Sequence, residues 1–337
     1  MTARSDIAVA EVESAPTAAV AQPRRPYLHW LIQVGRVVVF VAVIAAVVYA
    51  VDKEWASVHR TIDSLSWKSL VAAFIAIVLG MFATVRVWEH LLAAMGIRIP
   101  YLRAAQINLV GQLGKYLPGS VWAFVLQAQL GKRYGLYRPK ALVALMLSAG
   151  VTSVAALVLA AFAAPELAGQ LGPAAWLLCA GPLTLLLLYP PVLTKISNLA
   201  LRILRKPQLR KPLIGGYVYR ALGWALISWL LYGVQLWLLT GGLNIHQSAT
   251  NLVVTTGAFA LGMSAGFVAF FLPSGIGVRE AVIVAGLAPI AHSGTALALA
   301  LTSRLLFTAA DISTALGALI GARVKHGSAP IPSGPRQ

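Results

Sequence analysis

The sequence predicts an all-α polytopic membrane protein with about six full spans and two Pro/Gly-broken re-entrant hairpins arranged as an inverted repeat. Three observations predict it. The chain is 59% hydrophobic and only 11% charged, a balance that one water-soluble core cannot hide. Its apolar runs approach the roughly 20 residues that cross a bilayer. Two of those runs are broken by nearly the same punctuation, about half the chain apart: Gly114-Lys115-Tyr116-Leu117-Pro118-Gly119-Ser120 and Phe271-Leu272-Pro273-Ser274-Gly275-Ile276-Gly277. Matched breaks in corresponding halves point to a transporter-type site built from discontinuous helices.

The elements follow in chain order. Residues 1–26 are Ala-, Pro- and polar-rich and lack the basic start and apolar core of a cleavable signal, so a disordered cytoplasmic tail is expected. The transmembrane domain covers 27–324, with repeat halves of about 27–164 and 173–324. The first span, Val37–Val51, leads out to Asp52–Lys68, where Lys53, Arg60 and Lys68 are offset by Asp52, Glu54 and Asp63. The second, Ser69–Val85, returns to Arg98 and Arg103. The interrupted segment Ala104–Leu130 is too short for two crossings, which take about 40 residues, so it reads as a hairpin entering and leaving on one side.

Lys132, Arg133, Arg138 and Lys140 follow it; then Ala141–Ala164 crosses to Ala164–Gly172, which has no cation. Pro173–Val192 returns to the most basic loop, Lys195–Lys211, and Ala221–Thr240 exits to the Lys- and Arg-free Gly241–Thr250. Asn251–Ile290 carries the second break, either as a re-entrant hairpin or as two crossings. The last span, Thr295–Gly321, ends at Arg323 and Lys325, and residues 325–337 form a second tail. Every loop assigned outside is balanced or cation-free, so both termini are predicted to be cytoplasmic. The same distribution assigns the net charge of +17 to topology rather than to nucleic acid.

Each half then reads span, span, broken hairpin, span, the first starting inside and the second outside. The meeting point of the hairpins near the midplane is the predicted substrate site. Ionisable groups within spans are costly and are functional candidates by default. Lys115, with Tyr116, Pro118, Gly119 and Ser120, forms the first candidate set; Pro273, Ser274, Gly275, Gly277, Arg279 and Glu280 form the second. A cation beside a helix N-terminus favours an anion, and Arg offers a phosphate a planar two-point contact. The competing readings are that Lys115 snorkels to the interface and that Arg279 pairs locally with Glu280 or another acid. Arg304 and Asp311 lie seven residues apart, on one face of the last span; they flank the cavity or form a structural pair, and Asp311 is the candidate for carrying a coupling proton. Arg86 and Glu89 read as an intrahelical pair, Gly262-x3-Gly266 and Gly317-x3-Gly321 as packing surfaces. Trp55, Trp67, Trp88, Trp122 and Trp176 sit near predicted span ends or breaks, where interfacial anchors belong.

The segments RVWEHLLAAMGIRIP (Arg86–Pro100), GQLGKYLPGSVW (Gly111–Trp122), LPSGIGVREA (Leu272–Ala281) and ALALALTSRLLFTAADI (Ala296–Ile312) carry a resemblance. With them the chain resembles the lysylphosphatidylglycerol synthase transmembrane-domain family, also described as flippase-like, from about Tyr27 to Val324. The resemblance implies movement of a lipid between leaflets. Synthases of this family carry a soluble aminoacyl-transfer domain after the membrane part; about a dozen residues follow the last span here, so lysyl-lipid synthesis is not expected. The GKYLPGSVW form is similar to members associated with glycosyltransferases and polyprenyl-linked sugars, which implies a glycolipid or polyprenyl-phosphate substrate.

The expected function is therefore translocation of an anionic phospholipid or polyprenyl-phosphate-linked glycolipid. The alternative is a non-transporting membrane partner that holds a glycosyltransferase at the Lys195–Lys211 loop. Enzymatic activity is not expected, since no acid pair or Ser/His/Asp set falls in a break. No cofactor or metal is expected: Cys179 is the only cysteine, the six histidines show no HxxxH spacing, and no nucleotide motif is present.

Overall fold

The computed structural model describes residues 52, 55–116, 121–136, 138–172, 178–203, 205–209, 211–268, 275 and 277–326. They form helices α1 (Trp55–Ser64), α2 (Trp67–Ala94), α3 (Tyr101–Gln112), α4 (Val121–Arg133), α5 (Arg138–Phe162), α6 (Ala164–Leu171), α7 (Pro190–Ile203), α8 (Gly215–Gly241), α9 (Ala249–Val268), α10 (Val278–Leu287) and α11 (Ser293–His326). No strand occurs among the described residues. The predicted span Val37–Val51, residues 1–26 and residues 327–337 lie outside them.

Among the described residues four helices are long and apolar enough to cross a membrane: Trp67–Ala94, Pro139–Phe162, Gly215–Gly241 and Ser293–Gly321. These correspond to four predicted spans. The predicted span Pro173–Val192 is different. Residues 173–177 lie outside the description, and the rest is a 3-10 helix, Gly181–Leu188, bent by 72° into α7. Its prolines explain the bend. Pro182 opens the 3-10 turn, and Pro190 forces the preceding Tyr189 into an extended conformation, with ψ at 123°, because a pre-proline residue avoids the α region.

Two loops expected outside also contain helices. Asp52–Lys68 holds α1, which packs on α11, and Ala164–Gly172 holds α6, started by Pro165 in its first turn.

The core is the pair α2–α8. Ile214 N–H donates to Ala94 O, at 3.1 Å, and a Cβ on Gly242 would touch Ser69, so the start of each helix lies beside the end of the other. The helices are antiparallel. Gly80 lies against Tyr232 where they cross. The chain enters α3 seven residues beyond the end of α2, and α9 eight beyond the end of α8. The pairs α3/α4 and α9/α10 therefore begin from opposite ends of the central pair.

Both pairs fold back on themselves. In the first, Gly114 faces Ala123, Gly111 faces Gln127, and Tyr134 Oη donates to Gln106 Oε1 at 2.7 Å. In the second, Gly275 faces Gly266, Gly262 faces Ile283, and Gly286 faces Ala258. As one residue number rises its partner falls, which is antiparallel packing. At ten residues, α10 is about 15 Å long, half the hydrocarbon core. Across the molecule α5 packs on α9, and α11 packs on α3.

Gly262 and Gly266 pack as predicted, whereas a Cβ on Gly317 or Gly321 would meet nothing within 4 Å. Trp67 is 68% exposed, as an anchor would be, but Trp88 is fully buried in the α2 core.

Candidate functional site

Among the described residues, eight helices line one cavity of about 310 Å³, a volume in the range of small-molecule sites. Met81, Thr152, Trp229 and Phe307 line it from α2, α5, α8 and α11, and each falls near the middle of its long helix. The cavity therefore sits at mid-height. Lys115 reaches it from the first hairpin, and Gly275 and Arg279 reach it from the second. A smaller void of about 10 Å³, room for one water at most, adjoins the same groups, between Lys115, Tyr116, Arg279, Arg304 and Asp311.

The first hairpin's contribution is a 3-10 turn, Leu113–Tyr116. Gly114 permits it: a Cβ there would stand 2.7 Å from the backbone N and Cα of Ala123. Past that contact, Lys115 Nζ reaches Asp311 Oδ2 on α11 at 2.6 Å, and Tyr116 Oη donates to the same oxygen at 2.6 Å. Asp311 is 4% exposed, so these two donors hold a carboxylate that would otherwise be buried alone. Lys115 does not reach away to the surface; it is an ion-pair partner.

The second hairpin is built differently. Gly275 and Gly277 have φ of +64° and +84°, the left-handed region that glycine enters freely. These residues turn the chain into α10. Glu280 then accepts the Gly277 N–H through Oε2, at 2.7 Å, the carboxylate half of a capping box. Its other oxygen, Oε1, takes Arg304 Nη1 of α11 in an ion pair. The competing reading of a local Arg279–Glu280 pair thus gives way to Arg304–Glu280, and Arg304 and Asp311, instead of pairing with each other, each take a separate partner along one face of α11.

Arg279 is left over. It is 6% exposed, and its guanidinium carbon lies 5.0 Å from the Phe259 ring and 5.1 Å from the Phe307 ring. The two rings stack on each other at 5.2 Å and 18°. Nη2 is buried with no hydrogen-bond partner among the described residues. Each cation–π contact gives about 2 kcal/mol when desolvated, while stripping an ion of water costs several kcal/mol even after relaxation. The positive end of α10 lies beside it, and Arg279 makes no ion pair of its own among the described residues. Counted among the described residues, Lys115, Arg279 and Arg304 face Glu280 and Asp311, and the surplus positive charge is that of Arg279.

Of the predicted site residues, Lys115, Tyr116, Gly275, Gly277, Arg279, Glu280, Arg304 and Asp311 converge here. Pro118, Gly119, Ser120, Pro273 and Ser274 lie outside the described residues. Among the described residues no group of three His, Cys, Asp or Glu side chains could hold a metal. Sequence reading missed Phe259 and Phe307, which look like any other apolar residue of a span. It also missed Asn108, Gln112 and Gln127 on the cavity wall, although amides inside an apolar hairpin were a usable signal. The family model for the lysylphosphatidylglycerol synthase TM region matches residues 33–311. No curated protein matches the chain.

Proposed function

Because the chain belongs to the lysylphosphatidylglycerol synthase transmembrane-region family, and is a multi-pass membrane protein, we propose that it is a lipid translocase. It passes the phosphate-bearing head group of an anionic lipid through the mid-height cavity. The observation that carries this reading is Arg279: a buried guanidinium at a helix N-terminus, facing that cavity, with no ion-pair partner among the described residues and Nη2 unbonded. A phosphate supplies the missing charge and accepts two parallel N–H donors. Lys115 faces the same cavity with its charge balanced by Asp311.

Inverted-repeat architecture is the second part of the proposal, and the packing supports it. Exchanging the halves turns α2–α8 into itself, α3/α4 into α9/α10, and the α5–α9 contact into the α11–α3 contact. In this reading the hairpins approach from opposite leaflets. The end carrying Arg98, Arg103, Lys132 and Lys195 is the cytoplasmic one. In a Cys179→Ser background, the exposed Gln208→Cys is then labelled by an impermeant thiol reagent only in opened cells.

Alternating access follows from opening one hairpin at a time against α11, which holds the first through Asp311 and the second through Arg304. Reconstitution into liposomes tests the function. Fluorescent phosphatidylglycerol placed in both leaflets should become fully accessible to an external quencher within minutes; accessibility stuck at half for every phosphate-bearing lipid tried contradicts the proposal.

A further inference from the structure

Beside the cation, the cavity wall is rich in uncharged hydrogen-bonding groups. Asn108, Gln112 and Gln127 supply amides from the first hairpin, and Ser148, Ser153 and Ser228 supply hydroxyls from α5 and α8. Asn108, Gln127, Ser148 and Ser228 are each at most 8% exposed, in a chain whose surroundings are apolar. Burying such groups without partners costs on the order of 1–3 kcal/mol each, so a wall of them implies that something polar meets them.

Internal bonds do not use up their capacity. Gln127 Nε2 donates to Asn108 O at 3.3 Å, and among the described residues no donor meets the Gln127 side-chain oxygen. Ser228 Oγ donates to Ala225 O at 2.8 Å, leaving its own lone pairs. Asn108 uses only its backbone carbonyl in that contact. Amides and hydroxyls both give and accept hydrogen bonds, which matches a partner that does the same at every position.

Acids are what this wall lacks. Among the described residues the single carboxylate lining the cavity is Asp311, and its Oδ2 already holds Lys115 and Tyr116. An ammonium head group would enter beside Arg279 and Lys115 with no free carboxylate to receive it. The aromatic faces nearest the cation are also taken, since Phe259 and Phe307 face the Arg279 guanidinium.

We infer that the cavity selects a head group that is an uncharged polyol joined to a phosphate, such as a glycerol, inositol or sugar phosphate, and rejects head groups carrying an amine. The inference rests on the translocase reading for its lipid tail. The polyol sits against Asn108, Gln127 and Ser148 while the phosphate sits on Arg279.

The test is native mass spectrometry of the purified full chain with equimolar short-chain lipids. The set is phosphatidylglycerol, phosphatidylinositol, phosphatidic acid, phosphatidylethanolamine and lysyl-phosphatidylglycerol, with glycerol 1-phosphate in a separate arm. Phosphatidylglycerol and phosphatidylinositol should bind at least about tenfold tighter than phosphatidylethanolamine and lysyl-phosphatidylglycerol, a difference of about 1.4 kcal/mol. Ser148→Ala and Gln127→Leu should each shrink the preference for phosphatidylglycerol over phosphatidic acid by about threefold or more. Because that preference is a ratio within one sample, loss of folded protein cancels. Equal binding of lysyl-phosphatidylglycerol or phosphatidylethanolamine overturns the inference, as does a phosphatidylglycerol-to-phosphatidic acid ratio unmoved by both variants. Tight binding of glycerol 1-phosphate with no lipid bound supports the head-group chemistry and contradicts the translocase. Polyol lipids that bind selectively but are not moved in liposomes do the same.

Discussion

The two hairpins carry similar sequence breaks and similar cations, yet they leave those cations in opposite electrostatic states. Lys115 is partly exposed, 28% by side chain, and its charge is cancelled by Asp311. Arg279 is buried against two phenyl rings and makes no ion pair among the described residues. The acid beside it in sequence, Glu280, is drawn away to its own helix cap and to Arg304. The difference shows that a repeated motif fixes where a cation goes, and the neighbouring helix fixes whether it is available. Here α11 supplies Asp311 to the first hairpin and Arg304 to the second, one anion and one cation, and so leaves Arg279 as the cavity cation without an ion pair among the described residues.

That contrast makes separable predictions. The largest effect falls on transport by Arg279→Ala. Losing a charge-assisted bidentate contact of about 2.7 kcal/mol should slow liposome translocation roughly 100-fold, while the thermal midpoint in detergent hardly falls, because the substitution also removes a buried unpaired charge. Next comes Lys115→Ala, which acts on stability instead. It leaves Asp311 buried with Tyr116 alone and should cost about 2 kcal/mol, below the roughly 3–5 kcal/mol of a fully buried pair because the ammonium is partly exposed. Lys115→Ala/Asp311→Asn should recover most of the lost midpoint; no recovery would mean that Lys115 acts through something other than Asp311. A smaller effect is expected for Arg279→Lys, about tenfold in transport, since the charge stays and the fork is lost. Smallest is Tyr116→Phe, about 1 kcal/mol in stability, because Lys115 remains on the same oxygen.

Much of this contrast was legible in the sequence and some was not. Hydropathy marked α2, α5, α8 and α11, since a span of low-dielectric solvent imposes a simple compositional rule. The paired breaks marked Lys115 and Arg279, because glycines and cations inside apolar runs have few reasons to be there. What sequence could not rank was pairing. Glu280 adjoins Arg279 in the chain, but Glu280 sits at the third helical position, where its carboxylate turns back to the Gly277 N–H and out to α11. Adjacent residues on a helix point about 100° apart, so sequence neighbours are poor partners. The bend after Leu188 was missed for a similar reason: the segment's mean composition is that of a span, while Pro182, Pro190 and Pro191 determine its path.

Which cation holds the anion can be read by one comparison: native mass spectrometry of phosphatidylglycerol against an uncharged glycosyl diacylglycerol, on the wild-type chain, Arg279→Gln and Lys115→Gln. Arg279→Gln should abolish a preference of about tenfold for the anionic lipid, and Lys115→Gln should leave it within about threefold. If Lys115→Gln abolishes the preference and Arg279→Gln retains it, the free charge is not the one that Arg279 carries.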